Sequence, residues 1–302
     1  MRSFLLTLLG AAATASSISS AWAATPPVPG TRALGLGGAL RGAATGDSAL
    51  TLNPSGMSLM RAYVIEAAYA HDELSGGSSN LGRLSIVDST SGFNIAGGLY
   101  YNYLADKPGA GLDRSGHEAG AALAIPMGDH VFIGGTVKYL RLRTSGALPV
   151  GASSLAKGFT FDAGLTLKPV GAVSFGIVGQ NLADLHTDRA PRTLGGGITL
   201  GATPDLLFAA DAVLDFTTRR DTGGQGKVWN LMGGGEYLFA KKFGVRVGGG
   251  RRGINNAGYL AGGVSFIAQV GALDFGFQQD LGGSAKETFI GASARLFLPA
   301  PE

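Results

Sequence analysis

The stretch KGFTFDAGLTLKP (157–169) carries the pattern that decides the fold. Phe159, Phe161, Ala163, Leu165 and Leu167 alternate with Thr160, Asp162, Gly164, Thr166 and Lys168. A β-strand sends successive side chains to opposite faces. One face of this strand is therefore apolar and the other polar or small.

The same alternation recurs along the chain. In DLLFAADAVLDF (205–216), Leu206, Phe208, Ala210, Ala212, Leu214 and Phe216 oppose Asp211 and Asp215. In VWNLMGGGEYLF (228–239), Trp229, Leu231, Tyr237 and Phe239 oppose Asn230 and Glu236. KFGVRVGG (242–249), ALDFGFQQD (272–280) and TFIGASARLFL (288–298) follow, with Arg246, Asp274 and Arg295 on their polar faces. About fourteen such segments can be drawn: 62–70, 80–88, 92–103, 114–125, 130–143, 157–168, 172–181, 191–201, 205–216, 227–239, 242–251, 256–266, 269–279 and 287–298. Short segments of alternating hydrophobicity separated by turn residues are the signature of a membrane barrel, and an even count suits a bacterial one. The connectors also alternate. STSG (89–92), PMGD (126–129), PVGA (169–172), ATPD (202–205), AKK (240–242) and AQVG (268–271) are tight. HDELSGGSS (71–79), LADKPGAGLDRSG (104–116), TSGALPVGASSLA (144–156), ADLHTDRA (183–190) and TTRRDTGGQG (217–226) are longer and more polar. Short periplasmic turns and longer outer loops are how such barrels are built. The expectation is a closed antiparallel transmembrane β-barrel of about 14 strands over residues 61–298, with a tail at 299–302.

Composition agrees. Glycine makes up 51 of 302 residues and charged residues only 15%, against roughly 7% and about 25% in ordinary domains. The N-terminus reads as a signal peptide over 1–23: Arg2, the apolar run FLLTLLGAAA (4–13), then Ala21-Trp22-Ala23 before the expected cut. No later apolar run approaches the roughly 18 residues of a membrane helix. The chain has no cysteine, which excludes a disulfide framework and a cysteine zinc site. A net charge of +3 is too small to argue for nucleic acid. The four histidines, His71, His117, His130 and His186, form no metal-ligand pair. Asp72 adjoins His71 without a nucleophile motif, so neither an enzyme, a metal nor a cofactor is expected.

Residues 35–57, GLGGALRGAATGDSALTLNPSGM, resemble a phosphate-binding loop at first sight. The dinucleotide fingerprint fails because position 40 is Leu, and the P-loop fails because Ala43 and Ala44 follow Gly42. Gly37-Gly38-Ala39, Asp47-Ser48-Ala49 and Asn53-Pro54-Ser55-Gly56-Met57 instead resemble the N-terminal signature of the FadL-like outer-membrane proteins. GLTLKPVGAVSFGIVGQNLAD (164–184) with APRTLGGGITLG (190–201) looks like that superfamily's PorV/PorQ-type branch. Ser55 in place of Ala, Met57 in place of Leu and Gly46 in place of a second acid depart from the pattern. The chain is also short beside the family's fatty-acid transporters, which puts fatty-acid uptake in doubt. The resemblance implies a fourteen-stranded barrel whose N-terminal extension, 24–60, folds inward as a plug. On that reading Gly37, Gly38, Asp47, Asn53, Pro54 and Gly56 are plug residues, Asp47 or Ser48 caps a short helix, and Gly42 and Gly46 are hinge points.

Strand parity sends Glu66, Arg83, Lys138, Asp162, Asp211, Asp215, Glu236, Arg246, Asp274 and Arg295 into the lumen. Asp162, Asp211, Glu236, Arg246, Asp274 and Arg295 are expected to form a charge network between wall and plug. Arg219-Arg220-Asp221 and Arg251-Arg252 are placed in outer loops, facing lipopolysaccharide. The cell outer membrane of a Gram-negative organism is the expected location, with its lipid as partner. Two functions fit: passage or lateral release of a small hydrophobic compound, or a non-transporting accessory barrel that docks secretion or surface-assembly machinery. A secreted soluble β protein is the reading outside the membrane.

Overall fold

The computed structural model describes residues 30–299, apart from 75–76, 91–94, 110, 147–153, 188, 218–226, 255 and 283–285. The stretch read as a signal peptide, the group Arg219-Arg220-Asp221 and the end of the tail lie outside the described residues.

Fourteen strands form one closed barrel. They are β1 (Tyr63–Leu74), β2 (Gly77–Asp88), β3 (Ala96–Gly109), β4 (Leu112–Met127), β5 (Val131–Ser145), β6 (Leu155–Val170), β7 (Val173–Gln180), β8 (Thr193–Thr203), β9 (Leu206–Asp215), β10 (Val228–Phe239), β11 (Phe243–Arg252), β12 (Ala257–Ala268), β13 (Gly271–Asp280) and β14 (Glu287–Leu298). Each pairs antiparallel with its sequence neighbour, and β1 closes on β14 from Tyr63↔Leu298 to Leu74↔Glu287. Closure leaves no strand edge, which a bilayer demands because it offers no water to unpaired N–H and C=O groups.

The alternation sorts as expected. Phe159 is 67% exposed and Val247 66%, both on the outer surface, while Thr160, Asp162 and Thr166 are buried inside. Leu123, Val137, Phe175, Trp229, Phe266 and Phe277 continue the outer apolar belt. A wall that is greasy outside and polar inside belongs in lipid, and a closed barrel of this kind is an outer-membrane architecture.

Two expected long loops are not loops. Residues 104–116 are largely the ends of β3 and β4, and 71–79 is mostly the β1–β2 hairpin. Polar residues there continue the ladder beyond the apolar belt, where the backbone still pairs although no lipid requires greasy side chains. β4, β5 and β6 run for 16, 15 and 16 residues, but β7 for only 8. Above β7 the chain turns inward. Leu182 N–H donates to Phe161 O (2.9 Å), and Asn181 N–H donates to Asp162 Oδ1 (2.8 Å). Ala190 is buried among Leu34, Leu81, Leu104 and Leu140. Arg189 reaches Asp106 and Ser79 across the lumen.

The residues before β1 fold inside the barrel as α1 (Thr31–Gly35), α2 (Asp47–Leu52) and a 3₁₀ turn (Pro54–Leu59). Helices this short are marginal alone, so the wall must hold them. Pro54 opens the 3₁₀ turn, and Asn53 Oδ1 accepts from Ser55 N–H at 3.3 Å. Neither Asp47 nor Ser48 caps α2: the cap position is Gly46, with no side-chain bond. The Asp47 carboxylate is drawn to Arg83 instead (3.1 Å).

Glycines of the wall meet this luminal segment at backbone distance. A Cβ at Gly164 would collide with Asn53, one at Gly176 with the Arg41 carbonyl, and one at Gly134 with Ser55. At Gly276 it would lie 2.9 Å from Thr31 O, and at Gly263 3.2 Å from Gly35 Cα. These glycines are cross-strand neighbours, as in Gly134↔Gly164, Gly176↔Gly197, Gly234↔Gly248 and Gly263↔Gly276. A band of the inner wall is thus stripped of side chains where the segment sits.

Candidate functional site

The luminal segment is bound to the wall by three ion pairs, two of them buried and one, at Arg32, half-buried. Arg32 grips Glu236 with both ends of its guanidinium, Nε to Oε2 at 3.0 Å and Nη2 to Oε1 at 2.5 Å. Burial opposes the charge on Arg32, but the adjoining Glu236 carboxylate raises its pKa above the ordinary arginine value. Asp211 Oδ2 accepts from Leu40 N–H, Arg41 N–H and Arg41 Nη1, each at 3.0 Å. Asp47 meets Arg83, whose Nε donates to Asn102 Oδ1 at 2.8 Å. Neutral bonds add to these. Asn53 Nδ2 donates to Thr166 Oγ1 (3.1 Å), Gln180 Nε2 to Thr51 O (2.7 Å) and Tyr259 OH to Gly37 O (2.8 Å).

Five of the six expected lumen charges lie in contact with this segment or continue its ion pairs along the wall. Glu236 also accepts from Arg246 Nε at 2.5 Å; Arg246 Nη1 lies 3.0 Å from Asp274 Oδ1; Asp274 Oδ2 accepts from Arg295 Nη2 at 2.7 Å. Asp211 stands apart from that chain, on Arg41. Asp162 belongs with neither: it pairs with Lys138 at 2.8 Å, near Asn181. Parity reveals which side chains share a lumen but not which share a height.

The expected plug residues all lie in this segment. Gly37 and Gly38 adopt φ of +70° and +89°, and a Cβ on Gly37 would reach Gly249 N at 2.7 Å. A Cβ on Gly56 would overlap the Ala44 carbonyl. Gly42 is no free hinge, since a Cβ there would lie 2.8 Å from Thr199 Oγ1. Gly46, at φ +58°, borders open space.

Above the segment the lumen divides. One side is a mixed cleft of about 50 Å³ where the charged Arg83, Glu118, Lys138 and Asp162 face Leu81 and Leu140. The other is an apolar cavity of about 130 Å³ against β8–β14. Its walls include Val213, Val228, Met232, Tyr259 and Phe289, and its floor is Leu34, Gly37, Gly38, Arg41 and Leu52 of the segment. An apolar cavity of roughly 150 Å³ admits benzene, so this one is of the right order for a small hydrocarbon. Arg252 at its rim is held by Asp280 (2.8 Å) and Glu287 and lies 5.0 Å from the Tyr259 ring centre. Arg252 therefore ends β11 pointing inward, not in an outer loop; only Arg251 faces out, bonded to Asn256. The sequence reading missed Arg32, Arg41 and the cavity walls. A signal existed for some of them: Met232 and Phe289 are large apolar residues at positions whose parity is otherwise polar or small.

The histidines stay out of the lumen. His71 bonds Asn80 and His117 bonds Tyr101 on the outer wall; His130 sits at a turn, and His186 is exposed beside Asp184. His71 and His117 lie in strands, not loops.

No family model matches the sequence, and no curated protein matches it. Solved structures do match. The toluene transporter TbuX of Ralstonia pickettii superposes with a TM-score of 0.69 at 14% identity, covering 90% of this chain and 99% of that one. A FadL homologue of Pseudomonas aeruginosa gives 0.68 at 13% identity, covering 89% and 98%. The toluene transporter TodX of Pseudomonas putida gives 0.67 at 11%, covering 89% and 97%. At these identities the shared property is the fold: a fourteen-stranded barrel with an N-terminal segment inside it.

Proposed function

We propose that the chain is a FadL-type outer-membrane barrel that passes a small hydrophobic compound through its lumen, with the N-terminal segment as the plug. The observation that carries the reading is the apolar cavity whose floor is the plug itself. A ligand seated there touches Leu34, Leu52 and the Gly37-Gly38 turn, so binding and plug position are coupled through direct contact. The toluene transporters that share the fold support a hydrocarbon-sized ligand. The resemblance of residues 164–184 and 190–201 to the PorV/PorQ-type branch belongs to the same proposal, and these residues build the β6–β8 wall that receives Asn53 and Arg41.

The test is uptake of radiolabelled toluene by intact cells whose outer leaflet is lipopolysaccharide, comparing the wild-type barrel with Met232→Trp. An indole ring at position 232 fills the cavity from its wall. Uptake is expected to fall at least tenfold, while the heat-modifiable gel band of the folded barrel persists. Uptake by cells with the wild-type barrel no faster than by cells lacking it refutes passage of this compound class. It then favours the accessory reading, in which deletion of 31–59 impairs secretion rather than uptake.

A further inference from the structure

The outer surface of β4–β6 carries a feature that passage through the lumen does not use. Arg141 on β5 is directly opposite Lys157 on β6 and His117 on β4, and all three are exposed on the lipid-facing side. Arg143 lies two residues further along the same face, opposite Ser115. Like charges directly opposite across a strand pair destabilise a sheet. No ion pair with a described carboxylate relieves them: Asp113, the outward acid on this face, lies opposite Ser145 and only diagonal to Arg143, and Arg141 and Lys157 have no acid beside them. Lys107 on β3 is likewise in no ion pair with a described carboxylate, whereas two other outward cations near this rim are held. Arg251 is bonded to Asn256 (2.5 and 3.0 Å), and Lys227 lies over the Phe216 ring.

The row beneath is different in kind. Ala119, Tyr139 and Phe159 stand in register, with the Tyr139 and Phe159 rings 4.9 Å apart, and Val137 and Phe161 follow below. Aromatic girdles mark the level where acyl chains give way to head groups. The cations therefore sit at head-group depth, at the barrel end opposite the tight turns, which is the outer leaflet. An anion that satisfies them must be anchored to acyl chains. Strand spacing and rise set the three backbone positions about 5–8 Å apart, and their long side chains reach further still, so the three cations can serve two phosphates rather than one. Arginine supplies a planar fork matched to phosphate oxygens.

We infer that this face, centred on Arg141, Arg143 and Lys157, binds a diphosphorylated glycolipid of the outer leaflet, its phosphates on the cations and its acyl chains on the Tyr139–Phe159 surface. The inference is independent of what crosses the lumen. The test is native mass spectrometry of the full barrel in detergent, using diphosphoryl lipid A as probe. The variant Arg141→Gln/Arg143→Gln/Lys157→Gln is expected to retain lipid A at least tenfold less than wild type, and Arg251→Gln to match wild type. Phosphatidylglycerol should distinguish wild type from the triple variant by less than threefold. Equal retention of lipid A by wild type and the triple variant overturns the proposal. So does an equal effect with phosphatidylglycerol, which shows a general anionic-lipid surface. If the triple variant gives no heat-modifiable band, wild type alone decides. It must retain diphosphoryl lipid A at least tenfold better than its dephosphorylated form, and equal retention overturns the site.

Discussion

Asp211→Ala tests whether the luminal segment is held as one body. The Asp211 side chain is fully buried and that of Arg41 is 8% exposed, so their ion pair is sheltered from water. Removing one partner of a buried pair costs about 3–5 kcal/mol, because the other charge is left uncompensated. Arg41 also lines the apolar cavity, so water can reach it once Asp211 is gone, and the lower end of about 3 kcal/mol applies. At about 1.4 kcal/mol per tenfold, the equilibrium for leaving the wall shifts by about 10²-fold. Hydrogen exchange followed by mass spectrometry reads this shift. Amides of Leu40 and Arg41 lose their acceptor directly, so their acceleration proves nothing. The informative peptide covers 47–57, which is held by Arg83, Thr166 and the β4–β6 wall and meets the perturbed residue where Asn53 Nδ2 donates to Arg41 O at 3.0 Å. It should exchange about 10²-fold faster if the segment leaves the wall as a unit. Acceleration confined to 36–43, with 47–57 within threefold of wild type, refutes the single-body argument and leaves only local fraying.

Three further outcomes follow from the same geometry. Gly176→Val drives a side chain into the Arg41 carbonyl; overpacking of about 1–3 kcal/mol should speed exchange across 36–46 while the heat-modifiable band remains. Lys241→Gly relieves a left-handed residue, φ 56°, in the turn closed by Lys242 N–H to Phe239 O at 2.9 Å. It should raise the denaturant midpoint of the detergent-folded barrel by the equivalent of about 1 kcal/mol, and a lowered midpoint contradicts it. Ala163→Arg puts a charge on the outer face of β6 between Phe161 and Leu167, with an expected cost of about 2–4 kcal/mol in urea unfolding from vesicles. Lys157→Arg, above the belt, should change little.

The strands were legible because lipid imposes a strict two-residue period, and that period survives in residues such as Phe159, Phe161 and Leu167. The tall β3–β4 hairpin was misread at 104–116 because strands outside the lipid no longer need greasy faces, so composition resembles a loop while the ladder continues. The glycine-rich start was legible as a segment needing close approach. Its partners were not, since Arg41 and Asp211 are 170 positions apart and nothing local marks them as neighbours. Asp47 shows the limit from the other side: local rules offered it a helix cap, and a distant arginine outcompeted that role. The cavity was hidden for a related reason. Val213, Met232 and Phe289 come from three strands, and only closure of the barrel over the segment brings them together.

The glycine band has a consequence for the permeability of the cell envelope. Where the wall is glycine, the space at that level is taken by the N-terminal residues, and the wall side chains Arg83, Asp211 and Glu236 reach in between the glycines to hold them. If the barrel is the conduit proposed above, one proteolytic cut ahead of β1, followed by loss of the freed piece, would open the lumen at that level.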